Sequence, residues 1–350
     1  MKESDFIDLY LTSFKNIGFK SIDKVRLENP KIGLFKHFSK KFPEITIQNY
    51  QSWRTKFEKD LLSDEIEIIS QSDSRYSEKL LAIHDAPRYL FCKGNISLLK
   101  KTTLAIVGSR NPTSYGITTT KHFASELSKY GFVIVSGLAT GIDSIAHRES
   151  IENGTIAVLG SGHKHIYPAV NYNLYKEIIQ KNGLVISEYQ PSVEPVRAFF
   201  PLRSRIIAGL SVGLLVTEAA EKSGSLIAST LAFEYGRNLY AIPGDITKTT
   251  SAGCNQLISK NLAKLARIPQ DIIEDFSSVY RPKSISESPV FSSNRPHSSN
   301  ILIQIKQGVT DPDLISQNLG LDSGSLLTEL TLLEMENQIE RTDGEIYLKL

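Results

Sequence analysis

Short hydrophobic runs recur through the middle of this 350-residue chain and alternate with amphipathic segments. The runs are Leu104–Val107, Phe132–Val135, Ile156–Leu159, Leu184–Ile186, Val212–Val216 and Leu239–Ile242. Two of the intervening segments, Thr118–Lys129 and Leu226–Tyr235, repeat their apolar residues at helical spacing. Buried strands that alternate with helices predict an α/β fold, in which a doubly wound parallel sheet is covered by helices on both faces.

The flanks of this central region have different patterns. Residues 1–60 predict a small helical domain, which precedes the α/β body at residues 61–276. Residues 277–300 are rich in serine and proline and predict a linker. Residues 301–350 predict a helix, a helix-turn-helix and a hairpin that turns at Asp343-Gly344, which is the order of a winged-helix-like domain.

The formal charge of the chain is low, but it is unevenly distributed. A net charge of +2 means that any binding site for a polyanion must be a local arrangement. Residues 301–350 carry nine acidic and three basic residues, and the third predicted helix holds Glu329 and Glu334 without a lysine or arginine. DNA should repel that helix, so we expect the module to contact protein and not to act as a winged-helix transcription factor.

Several features bear on compartment and metal binding. Cys92 and Cys254 stand in no disulfide or metal pattern and are interpreted as buried thiols of a reducing compartment. The N-terminus lacks an apolar signal segment, and no run approaches the roughly 20 apolar residues of a membrane span. His163 and His165 have no third ligand nearby in sequence and are assigned to a surface loop. The sequence therefore predicts a soluble, cytoplasmic protein without a metal or membrane contact.

Glycine-rich segments follow four of the predicted strands: Gly108–Arg110, Ser136–Asp143, Gly160–Gly162 and Thr217–Ser225. Ligands of doubly wound sheets bind beyond the carboxyl ends of the strands, and glycine lets backbone N–H groups approach a phosphate. A tight strand-to-helix turn explains each glycine equally well. The third glycine of the dinucleotide fingerprint and the Walker lysine are missing, so no cofactor and no ATP hydrolysis are predicted.

An aromatic and basic segment, Phe199 to Arg205, follows the predicted strand Leu184–Ile186. Arginine forks match phosphate oxygens, and the rings of Phe199 and Phe200 offer faces on which bases can stack. Arg110 directly follows a strand and a Gly-Ser turn, so its head should lie over the ligand edge. We expect Arg203 and Arg205 to join it there and to form a site for a polyanion that carries bases.

Asp143 and His147 are spaced i, i+4 and would share one face of a helix. No Gly-x-Ser-x-Gly elbow accompanies them, so we interpret Asp143 as a helix cap and His147 as a hydrogen-bonded structural residue. No acid/base pair or metal cluster stands beside the arginines. The pattern indicates binding, and no catalytic residue is predicted.

Five motifs, taken together in this order and spacing, give the chain a resemblance to the DprA/Smf family (DNA-processing protein A) over about residues 60–275. They are Ala105–Arg110, Ser136–Asp143 with Ala146-His147, Phe200–Ser211, Ser223–Leu226, and Ala241–Gly244 followed by Gly253-x-Asn255-x-Leu257-Ile258. The resemblance implies an extended Rossmann-like domain, and it extends loosely to a SAM-like helical domain before it and a winged-helix domain after it.

The resemblance also implies a function. Such a protein would bind single-stranded DNA without sequence preference, dimerise through its Rossmann domain, protect incoming strands and load the RecA recombinase during natural transformation. By position, Gly108, Ser109, Arg110, Ser136, Gly137, Thr140 and Gly141 would line the DNA pocket. Phe200 and Arg203 would contact bases and backbone, and Ser223, Gly224 and Ser225 would help to hold phosphate.

An enzymatic alternative is a nucleotide phosphoribohydrolase on a related Rossmann-like fold, because nucleotides also suit glycine loops and arginines. Those enzymes resemble one another in a Pro-Gly-Gly-x-Gly-Thr motif with a following Glu. Here the corresponding region begins at Glu218 and reads Glu-Ala-Ala-Glu-Lys-Ser-Gly-Ser, so the motif is missing. Base release from nucleoside monophosphates would favour this alternative.

Overall fold

The computed structural model describes residues 2–14, 16–28, 33–277, 297–335, 338–342 and 345–348. The chain forms two compact units, Met1–Arg281 and Pro282–Leu350, and each is described by itself. Most of the predicted linker and the predicted turn at Asp343-Gly344 lie outside the described residues.

The first unit contains twelve α-helices and nine strands within the described residues. The helices are α1 (Glu3–Thr12), α2 (Phe19–Glu28), α3 (Leu34–Phe38), α4 (Ile47–Ser63), α5 (Glu78–Leu81), α6 (Ser114–Tyr130), α7 (Ile142–Ser150), α8 (Tyr172–Gln180), α9 (Phe199–Leu210), α10 (Ser225–Glu234), α11 (Ala252–Ser259) and α12 (Gln270–Phe276). The strands are β1 (Glu67–Ser70), β2 (Tyr89–Gly94), β3 (Thr103–Val107), β4 (Val133–Ser136), β5 (Thr155–Val158), β6 (Leu184–Ser187), β7 (Gly213–Val216), β8 (Asn238–Ala241) and β9 (Lys264–Leu265).

All nine strands form one sheet in the order β1-β2-β6-β5-β4-β3-β7-β8-β9. The seven strands from β6 to β9 are parallel, whereas β1 and β2 add an antiparallel edge. From β3 the chain proceeds through β4 and β5 to β6, and it then returns to place β7 on the other side of β3. The strand order therefore reverses between β3 and β7, which confirms the predicted doubly wound α/β fold.

Alternate residues of the central strands serve opposite faces of the sheet, as the period of a strand requires. In β3, Ala105 and Val107 belong to the core under α9 and α10, whereas Leu104 and Ile106 belong to the core under α6 and α12. All four side chains are almost fully buried. Burial on both faces explains why these strands read as continuous apolar runs instead of alternating ones.

The N-terminal helices α1–α4 enclose a separate aromatic core, which includes Tyr10, Tyr50 and Trp53. Tyr89 and Phe91 of β2 belong to the same core, so the helices are built onto the antiparallel edge of the sheet. Asp8 of α1 is 2% exposed and pairs with Arg26 of α2 and with Arg88, which directly precedes β2. Packing and ion pairs together fix these helices against the sheet.

The second unit contains α13 (Ser298–Lys306), α14 (Pro312–Leu319), α15 (Ser323–Met335) and the antiparallel strands β10 (Ile339–Thr342) and β11 (Glu345–Leu348). Ile301, Ile315, Leu330 and Ile346 pack in its core. The elements follow the predicted order, and the winged-helix assignment stays a prediction. Cys92 and Cys254 are buried, and none of the described helices combines the length and apolarity that crossing a bilayer requires.

Candidate nucleic-acid interface

A cavity of about 220 Å³ opens where β3, β4 and β5 end. Loops that follow these strands and the first turns of α9 form its wall, which consists of Arg110, Ala139, Thr140, Tyr167, Pro168, Phe200 and Arg203. Two cationic forks and two aromatic rings therefore meet at the carboxyl edge of the parallel sheet. This is the edge at which open α/β sheets bind their ligands.

The loop after β3 presents Arg110 to solvent. Its preceding residue is fixed by two backbone hydrogen bonds: Ser109 N–H donates to the carbonyl of Glu218 (2.8 Å), and Ile142 N–H donates to the carbonyl of Ser109 (3.0 Å). A Cβ on Gly108 would lie 2.7 Å from Cγ1 of Ile142, so the loop packs too closely for a side chain there. Arg110 itself is exposed, and no residue in the described ranges pairs with it.

The loop after β4 packs against the Arg110 loop. Gly141 has φ +75°, a conformation that glycine adopts without steric cost, and a Cβ there would overlap the carbonyl of Ser109. The glycine turn brings Thr140 to the cavity wall and lets α7 begin at Ile142. Gly108 and Gly141 therefore allow the two loops to pack together, and Arg110 and Thr140 of these loops line the cavity.

Arg203 forms the buried floor of the cavity. Its guanidinium donates to the carbonyl of Gly137, and the residue is 8% exposed. A Cβ on Gly137 would overlap this guanidinium, so the glycine creates the space that Arg203 occupies. Burial lowers the pKa of Arg203, the Asp143 carboxylate opposes that shift, and Arg110 adds to it. The Nε atom of Arg203 is buried without a hydrogen-bond partner in the described part of the chain.

Asp143 and His147 lie beneath this floor and are both buried. Asp143 accepts hydrogen bonds from Gly137 N–H (3.1 Å) and Ala139 N–H (3.4 Å), so it stabilises the β4–α7 loop, and its interpretation as a helix cap is wrong. Burial raises the pKa of Asp143, and Arg203 opposes that shift.

His147 Nδ1 lies 2.7 Å from the Thr155 hydroxyl, and burial lowers the pKa of the ring to about 3. The structural interpretation of His147 is confirmed.

The aromatic wall is formed by two rings from different elements. The Phe200 ring packs over Gly160, where a Cβ would lie 2.9 Å from ring atom Cδ1. Its centroid is 5.3 Å from that of Tyr167 and 5.5 Å from Cζ of Arg203. Neither Tyr167 nor Pro168 was predicted from the sequence to join the site. The signal available was a Tyr-Pro pair in the loop after a predicted strand, at the ligand edge.

Phe199 and Arg205 do not join this cavity, and the expectation that they face the same rim is wrong. Residues at i and i+2 on a helix point about 200° apart, since each residue adds about 100° of rotation. Arg205 donates to the carbonyl of Asp85 (2.6 Å) and to the carboxylate of Glu188. The Phe199 ring stacks on the Tyr189 ring, and the two ring centroids are 4.1 Å apart. Both residues line a second cleft of about 330 Å³. The other lining residues come from α1 and the segment after it, from the segment that follows β6, and from α9.

Three of the serines that the sequence predicts as DNA contacts lie outside the cavity wall: Ser136, Ser223 and Ser225. Ser136 is fully buried and donates to the carbonyl of Ile106 (2.7 Å), so it joins β4 to β3. Ser223 and Ser225 contact each other through their hydroxyl oxygens (2.7 Å) on either side of Gly224, where α10 begins. Neither group lines the cavity wall.

The histidine segment after β5 differs from its sequence interpretation. His163 is 6% exposed, and its ring nitrogens lie 2.8 Å from the Phe91 carbonyl and 3.3 Å from the Tyr175 hydroxyl. Burial lowers its pKa to about 4. The assignment of His163 to a surface loop is therefore wrong, because its ring joins the β5 loop to β2. The described residues contain no His, Cys, Asp and Glu group that would hold a metal ion.

The sheet and the cavity define a Rossmann-type α/β protein whose ligand edge carries arginines and aromatic rings. Residues 67–277 match the model of the family described as DNA recombination-mediator protein A, and the chain belongs to that family. The resemblance found in the sequence is thereby confirmed.

Individual relatives agree with this assignment. The chain is 45% identical over 206 residues to a "DNA processing protein DprA" of Streptococcus pneumoniae, a match that covers 58% of this chain and 72% of the relative. It is 33% identical over 312 residues to a "Protein Smf" of Escherichia coli, covering 87% of this chain and 81% of the relative.

Two solved structures share the fold. The DNA processing protein A of S. pneumoniae aligns with a TM-score of 0.63 at 34% identity, over 79% of this chain and 99% of that one. The DNA processing protein A of Helicobacter pylori aligns with a TM-score of 0.57 at 32% identity, over 62% of this chain and 99% of that one. The H. pylori structure gives insight into the single-stranded DNA binding mode of that protein.

Proposed function

We propose that this protein binds single-stranded DNA in the cavity at the carboxyl edge of its sheet and mediates recombination. The observation that carries the proposal is the convergence of Arg110, Arg203, Phe200 and Tyr167 on one cavity. Arginine recognises phosphate, aromatic rings stack on bases, and the two together suit an unpaired strand whose bases are free.

The charges of the site support this choice. Arg110 is an exposed cation with no partner in the described ranges. Arg203 is a buried arginine whose pKa is lowered by burial, and the charge of Asp143 opposes that shift. Because the arginines would contact the phosphate chain, the affinity should fall with salt. Stacking tolerates every base, so sequence preference should be weak.

The family supports a proposal about the wider role. We infer that the protein protects incoming single strands, assembles RecA on them during natural transformation and works as a homodimer in the cytoplasm. The family description, a recombination mediator, supports the recombination role. Ser223, Gly224 and Ser225 remain predicted phosphate contacts beyond the cavity wall. We propose no catalytic step for this site.

Arg110→Ala tests the binding site directly. Loss of one charge-assisted phosphate contact should weaken binding of single-stranded DNA by about 1–3 kcal/mol, or roughly 5- to 150-fold. Anisotropy titrations with a labelled oligonucleotide, repeated across a salt series, would also give a shallower salt slope for the variant. Lys129→Ala is the control, because it removes an exposed cation at the other end of α6. Equal affinity of Arg110→Ala and the parent protein for single-stranded DNA would show that the cavity is not the binding site.

The recombination role needs its own measurement. RecA assembly on single-stranded DNA should be faster in the presence of the parent protein than with Arg110→Ala, since the mediator must hold the strand. Duplex DNA of the same sequence should bind more weakly than the single strand, because its bases are unavailable for stacking. Unchanged RecA assembly with a protein that binds DNA tightly would limit the function to binding.

A further inference from the structure

The crevice at which the strand order reverses lies between β3 and β7. Open α/β sheets commonly bind phosphate-bearing ligands in this crevice, at the N-terminus of the helix that follows the first strand. That helix is α6, which begins at Ser114 with Thr113 as its N-cap. The cavity described above lies beside this crevice, at the carboxyl ends of β3, β4 and β5.

The side chain of Glu218, in the loop that follows β7, occupies the start of α6. Its carboxylate accepts a hydrogen bond from Thr113 N–H (3.1 Å to Oε1 and 3.3 Å to Oε2) and a second from the Thr113 hydroxyl. Glu218 is 2% exposed, and a Cβ on Gly116 would overlap its Oε2 atom. A negative charge beside a helix N-terminus is favourable, so the protein supplies its own anion at this position.

The backbone of Glu218 fixes the other end of the same loop. Its carbonyl accepts the hydrogen bond from Ser109 N–H at 2.8 Å, whereas its carboxylate holds Thr113. Arg110 lies between those two anchors. One residue in the loop after β7 therefore holds both ends of the short loop that carries Arg110, the exposed cation of the cavity.

We propose that Glu218 is a positioning residue for DNA binding, which acts by holding the Arg110 loop at both ends. The proposal rests on the proposed function, since it assigns a role toward the same ligand. It also explains how a buried carboxylate can serve a polyanion site: the charge of Glu218 is satisfied by Thr113 and by the start of α6, and the guanidinium of Arg110 stays free for phosphate. The Glu218 carboxylate occupies the α6 N-terminus, where such sheets commonly hold a phosphate.

A double-mutant cycle between Glu218 and Arg110 tests this assignment. Glu218→Ala should weaken single-stranded DNA binding about five- to tenfold in the parent protein, because the loop loses the carboxylate that holds Thr113, while the carbonyl that accepts from Ser109 N–H remains. In the Arg110→Ala background the same substitution should change the affinity less than about twofold, because the residue that it positions is absent. A role in general folding would instead reduce the affinity by the same factor in both backgrounds, and that result would overturn the proposal.

Two further variants keep the test decisive if Glu218→Ala fails to fold. Glu218→Gln retains the shape and an acceptor oxygen. Thr113→Val removes the hydroxyl, which donates to Glu218 and also accepts from Gly116 N–H as the N-cap of α6. Both variants should show the same coupling to Arg110 at about two- to fivefold. Glu221→Gln is the matched control, since it removes an exposed carboxylate three residues away and should change nothing in either background. Parent-like affinity of both folded variants would also overturn the proposal.

The cycle separates failure of this inference from failure of the proposed function. If the parent protein binds no single-stranded DNA, the function itself is wrong. If the parent binds and Arg110→Ala weakens binding while the Glu218 and Thr113 variants do not, only the positioning role is wrong. Thermal unfolding of each variant, measured beside the titrations, identifies losses of affinity that come from an unfolded fraction.

Discussion

The two faces of α9 use the same residue types for different purposes. Phe200 and Arg203 face the cavity at the sheet edge, where the cation lies on a backbone carbonyl and under an aromatic ring. Phe199 and Arg205 face the N-terminal helices, where the cation is paired with the Glu188 carboxylate and the ring is stacked on Tyr189. One face leaves positive charge at a cavity, and the other neutralises it inside an interface.

This difference shows that the partner of an arginine, and not its burial, decides its role. Arg203 and Arg205 are 8% and 9% exposed, so burial does not distinguish them. Glu188 lies within ion-pair distance of Arg205, whereas Asp143 acts on Arg203 through its charge while it accepts hydrogen bonds from the backbone of the β4–α7 loop. Charge at the cavity is therefore available to a phosphate, and charge in the interface is not.

Arg205→Ala should separate the two faces most strongly. Removal of one member of a buried pair leaves Glu188 uncompensated, and the unfolding free energy should fall by about 3 kcal/mol near pH 7. Burial raises the pKa of Glu188, and loss of Arg205 should raise it further, so the deficit should shrink as the pH falls and the carboxyl becomes neutral. Urea unfolding at several pH values would measure this.

Binding of single-stranded DNA by folded Arg205→Ala should match that of the parent protein. Arg75→Ala is the control, because the ion pairs of Arg75 with Glu67 and Asp73 are exposed and should contribute less than about 1 kcal/mol to stability. Stable Arg205→Ala protein with weakened DNA binding would mean that both faces of α9 serve the ligand.

The sequence predicted the six strands from β3 to β8, because burial on both faces of the sheet gives them continuous apolar runs. It did not predict β1, β2 and β9, which lie at the two ends of the sheet. Strand β3 is an example of the six: it was predicted as Leu104–Val107 and begins at Thr103 in the structure. Glycine after each strand likewise indicated which edge would carry the site. These features are local in sequence, and a local pattern is sufficient to identify them.

The site was harder to predict, since it depends on which side chains meet. Spacing along the chain suggested that Arg203 and Arg205 act together, but helix geometry turns them apart. Tyr167 joins Phe200 only because the β5 loop folds back over α9, and the partner of Glu218 is more than a hundred residues away in sequence. Such contacts are set by the tertiary fold, so composition and spacing do not show them.

The two phenylalanines offer a second comparison between the faces. Phe200→Ala should weaken single-stranded DNA binding by about 2 kcal/mol, or about thirtyfold, because a base loses its stacking partner. Phe199→Ala should leave the affinity unchanged and lower stability instead, since it removes a ring stacked on Tyr189. Oligonucleotide titrations and thermal unfolding of both variants measure the two effects. Equal losses of affinity would show that the second cleft also receives DNA.

Gly137→Ala and Gly18→Ala make the finest test of the comparison, because each adds one methyl group on one side of α9. A Cβ on Gly137 would overlap the Arg203 guanidinium and lie 2.8 Å from Oδ2 of Asp143, so Arg203 must move toward the cavity opening. We expect a loss of about 1 kcal/mol in DNA binding, or about fivefold, since a displaced cation meets the phosphate less well.

Gly18 lines the second cleft, has no atom within 4 Å of its Cβ position and is not among the residues with positive φ. Its substitution should therefore change neither binding nor the packing of the cleft. Parallel titrations at one salt concentration resolve a fivefold difference between the two alanine variants. If Gly137→Ala binds DNA as tightly as Gly18→Ala does, the position of Arg203 does not limit the affinity, and the exposed Arg110 carries the electrostatic part of recognition alone.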